Sequence, residues 1–414
     1  MWTDNSKFHT IFRIALVSFA IVLAVVILII YNNVSRQTAK TDEELLQVYE
    51  QHQLSQQEER LSSIEEVNAE YEKDMQTVAQ YLPGVVCWGD SLTVGSASGA
   101  SYPSTLQSLI NEHICDIYDF RSTIENADEL SRIDWSNYTL EIPVVNLGGG
   151  GEDCNTILGR NGAFPFTVEV PFVIPENREP VNVRFTDSVG NKVTPLIQND
   201  AGTNPVVIAG VEGTLSIDGI RREYTFTRLE PGEKVNVEKG DAIVTSASTQ
   251  YKDYVSIIFI GTYGGFSTEA DLISKINAIR LNRDFNKDRY IVIGIFDRAD
   301  GVWIDKEHLE TRMLSEFGDH YINLRSYLMS DALKDAGISP TSSDQSRLNS
   351  NEIPYSLLAS KNSAELNATT YKLLGGVIYD RMESLGYFDE VVNELGIKDT
   401  RKELQAMGKY RPRG

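Results

Sequence analysis

The chain has 414 residues, of which 38 are basic and 59 acidic, giving a formal net charge of −21. That acidity argues against nucleic acid as a partner, because a basic surface supplies most of such affinity. Three scattered cysteines, with no Cys-x-x-Cys or His-x-x-x-His pair, exclude a disulfide scaffold and a four-cysteine zinc site and give no reason to expect a metal or another cofactor.

Residues 1–13 form a short N-terminal tail. From Ile14 to Tyr31 the chain reads IALVSFAIVLAVVILIIY, 18 residues without a charge, between Arg13 and Arg36. About 20 apolar residues cross a bilayer as a helix. A secretory leader would have a shorter apolar core, of about 7–15 residues, followed by small residues. Here Tyr31, Asn32 and Asn33 follow. The segment reads as an uncleaved signal anchor, a single span in a plasma membrane with the bulk of the chain on the extracytoplasmic side. Lys7 and Arg13 before the span and Arg36 and Lys40 after it leave the charge rule for orientation almost balanced.

Residues 38–82 change character. Between Asp42 and Asp74 stand eleven acidic and two basic residues. Leu61, Ile64, Val67, Tyr71, Met75, Val78 and Leu82 recur at helical spacing. The segment reads as an acidic helical stalk, reaching roughly 60 Å if helical throughout. It is either a solvated spacer or, with imperfect heptads, the seam of a coiled-coil homodimer.

Pro83-Gly84 ends the stalk. Apolar, β-branched runs then appear in GVVCWG, in Ile142 to Gly151, in Tyr254 to Gly265 and in Arg289 to Phe296, with helical patterns between them. Continuous runs of this kind suit a parallel sheet buried on both faces, so residues 83–162 and 251–388 read as one α/β domain. Ligands of such sheets sit beyond the carboxyl ends of the strands. Three of these strands end in Gly-rich polar turns: Gly89-Asp90-Ser91, Gly148 to Gly151, and Gly261 to Gly265. Residues 163–250 instead alternate apolar and polar, with turn signals such as DSVGN, NDAGTN and EPGEK, and read as an inserted antiparallel β-domain, either a spacer or a rim over the site. Residues 389–414 are a C-terminal extension. Val391, Val392, Leu395 and Ile397 there can dock on the sheet domain, and Lys409, Arg411 and Arg413 make a basic end suited to an anionic surface polymer.

The chemistry centres on Ser91. Following a strand and opening a helix, its hydroxyl would meet free backbone N–H groups, the environment of a serine nucleophile in acyl transfer. GDSLTVG, NLGGGGED, GTYGG and NSAELNATTYKLLG stand in one order along the chain. This pattern resembles the SGNH (GDSL-type) hydrolase superfamily, in a membrane-anchored form with a β-insertion, over about Gly84 to Phe388. The resemblance implies a flavodoxin-like three-layer α/β/α fold and an esterase, commonly one acting on acetyl groups of carbohydrates. It implies that Ser91, preceded by Asp90, is the nucleophile and that the Gly151 N–H is an oxyanion donor. The family's third block carries an asparagine amide where this chain has Tyr263. Its last block carries Asp-x-x-His where this chain has Asn362 and Glu365.

A serine hydroxyl needs a base to take its proton. No histidine stands at the base position, and His9, His52, His113, His308 and His320 read as surface or core residues. Glu365 is a poor base unless burial raises its pKa. Two expectations follow. One is a degenerate, weak or inactive esterase that binds an acylated cell-surface glycan or a partner enzyme. The other is an active serine carbohydrate esterase or acyltransferase working through Ser91. A stalked adhesin built on the insertion is a third.

Overall fold

The structure, a computed structural model, describes residues 5–125, 127, 130, 133–284, 287–361 and 365–398, with side chains from residue 16 onward. Two compact units are present, residues 1–71 with 126–133, and residues 72–125 with 134–414.

The first unit is dominated by helix α1, which runs Asn5–Tyr81 without interruption. No glycine or proline occurs within it; the first proline, Pro83, follows at once and restricts the residue before it. Every side chain from residue 16 to residue 62 is exposed, including the apolar run from Leu16 to Tyr31. This helix is long and apolar enough to cross a membrane and is the one candidate span among the described residues. Its last turns belong to the second unit. There Val78 and Leu82 are buried in the main core, and Tyr118 donates to Asp74 Oδ2 at 2.7 Å.

The second unit holds two sheets with separate cores. Five strands, β1 (Val85–Gly89), β2 (Val144–Gly148), β3 (Val255–Phe259), β4 (Tyr290–Ile293) and β5 (Tyr321–Ile322), pair in parallel in the order β5-β4-β3-β1-β2. All residues of β1, β3 and β4 are buried, as their unbroken apolar runs require. The class is mixed α/β. The strand order reverses between β1 and β3, the place where open parallel sheets bind ligands.

Between β2 and β3 the chain leaves the parallel sheet. From Phe166 to Thr245 it builds a seven-stranded antiparallel sheet and a two-stranded ribbon around their own core, which includes Phe166, Phe226, Val206 and Ile243. The strand Val211–Ile217 alternates buried and exposed positions, as a sheet with one packed face does. At the C-terminal end, Val391, Leu395 and Ile397 are buried in the main core with Val392 packed against it. The basic Lys409, Arg411 and Arg413 lie outside the described residues.

Candidate functional site

β1 ends at Gly89, and Asp90 caps the next element by accepting from the Leu92 N–H at 2.9 Å. That element, α2, is a single turn, Ser91–Val94. The sequence pattern suggests a longer helix opening at Ser91. Gly95, at φ 105°, stops it, and the longer helix α3 (Tyr102–Ile110) starts only behind a Ser101 capping box. The Thr93 and Val94 N–H groups close onto the Asp90 carbonyl at 3.0 and 3.1 Å. A single turn whose amides are already paired offers Ser91 little dipole.

Ser91 is buried to 9% exposure, and its hydroxyl donates to the Tyr263 hydroxyl at 2.7 Å. Tyr263 sits in the Gly261–Gly265 turn after β3. Gly261, Gly264 and Gly265 there all have positive φ, which only glycine adopts without strain. The turn is pinned on three sides: the Gly264 carbonyl accepts from the Cys154 N–H at 3.1 Å, the Thr262 carbonyl from the Ala299 N–H at 2.7 Å, and the Gly265 carbonyl from Lys275 Nζ at 2.6 Å.

The third turn, Gly148 to Gly151, comes after β2. Gly149 donates to the Gly89 carbonyl at 2.9 Å, and a Cβ on Gly148 would collide with Val94 N, so this turn lies directly against the Ser91 turn. Gly151 has φ 73°. Its N–H makes no hydrogen bond among the described residues. Behind it, helix α4 (Cys154–Asn161) carries Arg160, fully buried. Its guanidinium binds the buried Glu152 carboxylate at 2.7 Å, the Leu147 carbonyl at 3.1 Å and the Ala201 carbonyl at 2.5 Å.

Asp90 is fully buried. Removal from water pushes its carboxyl up to about 7; the Leu92 N–H and the Thr262 hydroxyl pull it down and the Glu152 charge pushes it further up. Its Oδ2, the Thr262 hydroxyl and the Tyr371 hydroxyl are buried and make no hydrogen bond of ordinary geometry among the described residues, although Thr262 lies close enough to Asp90, and Leu366 to Tyr371, to lower the pKa of each. Tyr371 lies on helix α5 (Ala368–Ser384). Its acidity is weakened first by burial and then by the charges of Glu365 and Asp90 and by Tyr263. Glu365 therefore stands within electrostatic reach of the residues around Ser91. Asn362, the other last-block residue, lies outside the described residues.

The structure thus brings Asp90, Ser91, Gly151, Tyr263 and Glu365 to one end of the sheet. It brings no histidine there among the side chains described. His308 is exposed and pairs with Glu269 at 2.7 Å; His320 stacks on Tyr290 at 4.3 Å and bonds to Tyr387; His113 meets Tyr379 edge-on. His52 is on α1. No cluster of three His, Cys, Asp or Glu side chains able to hold a metal occurs among the described residues, and all three cysteines are free thiols. Sequence reasoning missed Thr262, Tyr371, the Glu152–Arg160 pair and two residues of the insertion, Gln198 and Asn199. Only the first offered a signal, being adjacent to Tyr263. Comparison with protein-family models, with curated proteins and with solved structures finds no match for this chain.

Proposed function

We propose that the protein is a membrane-anchored, extracytoplasmic SGNH-hydrolase-like module that binds an acylated surface glycan at Ser91 and turns it over slowly or not at all. The observation that carries this reading is the Ser91 hydroxyl, donated to Tyr263 at 2.7 Å with no imidazole beside it among the described side chains. A tyrosine hydroxyl is not a general base toward serine, so the Ser91 hydroxyl keeps its proton and serves as a ligand contact. The parallel strand order with three polar turns at one end supports the SGNH likeness. The long apolar helix supports the anchor. The acyl group as ligand follows from the likeness and from the Gly151 N–H, a donor that no protein group occupies among the described residues.

The test uses the full chain in detergent micelles. A small acetyl ester and an O-acetylated oligosaccharide are offered to wild type and Ser91→Ala, and wild type is exposed to a fluorophosphonate. The expected result is no Ser91-dependent turnover, no labelling, and retained binding of the oligosaccharide. Ser91-dependent turnover well above background overturns the reading in favour of an active esterase, with Glu365→Gln as the next variant.

A further inference from the structure

The inserted β-domain contributes a turn to the serine site. Its segment from Thr194 to Asn204 is fixed along its length. The Thr194 N–H donates to Thr156 Oγ1 of α4 at 3.0 Å, the Pro195 carbonyl accepts from Tyr224 at 2.8 Å, the Ala201 carbonyl accepts from the buried Arg160 at 2.5 Å, and Asp200 caps the Asn204 N–H at 2.9 Å. Two carboxamides are held between these pins. Asn199 is fully committed: its Nδ2 donates to the Gly148 carbonyl at 2.7 Å and its Oδ1 accepts from the Gly150 N–H at 2.9 Å. This two-point clamp sets the turn that presents the Gly151 N–H.

Gln198, next to it, is the opposite case. It is exposed and makes no hydrogen bond among the described residues. Yet it lies on the same turn. A Cβ on Gly150 would collide with its carboxamide, and a Cβ on Gly151 would lie 3.2 Å from its Nε2. The absence of side chains at these glycines leaves the space that Gln198 occupies. An amide N–H and a backbone N–H, neighbours and both without protein acceptors among the described residues, suit one oxygen with two lone pairs, such as an acyl carbonyl.

We propose that Gln198 is the ligand-contacting amide of this site, supplying from the insertion the carboxamide donor that the third turn, with Tyr263, does not carry, and that Asn199 is its positioning residue. The inference rests on the acyl-binding reading of Ser91 given above. It makes the insertion a determinant of acyl recognition.

The full chain in micelles is titrated calorimetrically with an O-acetylated oligosaccharide and with the same oligosaccharide after alkaline de-O-acetylation. The quantity read is the preference for the acetylated form. Gln198→Ala should lower that preference about tenfold, the scale of one hydrogen bond to a ligand, with an unchanged melting temperature because the side chain has no partner to lose. Gln198→Glu, which replaces a donor by an anion at equal size, should lower it at least as far. Asn199→Ala should lower the preference while leaving affinity for the de-O-acetylated chain unchanged, a split that a general loss of structure does not produce. Full preference in both Gln198 variants overturns the inference. If Ser91→Ala abolishes a preference that Gln198→Ala keeps, the serine-site reading stands and this inference alone falls. If wild type shows no preference for the acetylated chain, both fall.

Discussion

The five-stranded and the inserted seven-stranded sheets draw on the same β-branched and aromatic residues and space them differently. In the first, β1, β3 and β4 are buried along their whole length, and the polar turns begin where β1 ends at Gly89, where β2 ends at Gly148 and just after β3 at Gly261. In the second, strands such as Val211–Ile217 and Ala242–Thr245 keep one face exposed, and the polar groups that matter sit in a turn pinned to α4. A sheet buried on both sides can position only the turns that leave its strand ends. A half-exposed sheet can reach across and complete the site that those turns leave unfinished. This contrast between the sheets can be broken at several points.

The largest effect is expected at Arg160, where the two parts are joined. Arg160→Met leaves the buried Glu152 carboxylate unpaired, along with the Leu147 and Ala201 carbonyls. Breaking a buried pair from one side costs about 3–5 kcal/mol. Urea denaturation of Arg160→Met and of Arg160→Met with Glu152→Leu should show the double variant recovering part of the loss.

Asp90 sharpens the contrast from the parallel-sheet side through pH. Burial pushes its carboxyl from the ordinary 3.8 up to about 7 in the folded chain. The folded state then holds a proton that the unfolded state has released, so this contribution is fully present below the lower value and is lost as pH rises through the higher one. Raising pH from 5 to 8 should lower stability by up to about 3 kcal/mol, at about 1.4 kcal/mol per unit. Asp90→Asn should flatten that slope in melts at several pH values.

Gly159 tests packing at the junction. A Cβ there would run into the ring of Phe166, a residue of the insertion core. Gly159→Ala should cost about 1–3 kcal/mol by overpacking, and Phe166→Leu on the same background should return some of it. The smallest effect is Asn199→Ala, about 0.5–1.5 kcal/mol for two partly exposed hydrogen bonds, measured by the same denaturation.

Much of the parallel sheet was legible because its runs, such as VVCWG and VSIIF, are continuous and β-branched. The alternation in the insertion was legible for the same reason in reverse. The three turns could be placed because glycines cluster where a strand ends. The single-turn α2 was not, since SLTV looks like any helix start and only the φ of Gly95 shows that the helix stops. Gln198 and Asn199 were invisible for a different reason. Asn199 bonds across 49 and 51 positions, and between Leu196 and Gly202 it reads as an ordinary polar loop. Tyr371 hides on a helix whose buried face is mostly apolar. Local pattern reports what a residue does to its neighbours in the chain, not what reaches it from a distant turn.

The clamp between Asn199 and the glycine turn also bears on how this architecture can change. A side chain at Gly150 would displace the Gln198 carboxamide that stands over it, and the Gly150 N–H is held by Asn199. A transplant that moved the insertion onto another parallel sheet would need the bare glycine and the asparagine to travel together. A graft carrying one without the other should arrive folded but unselective.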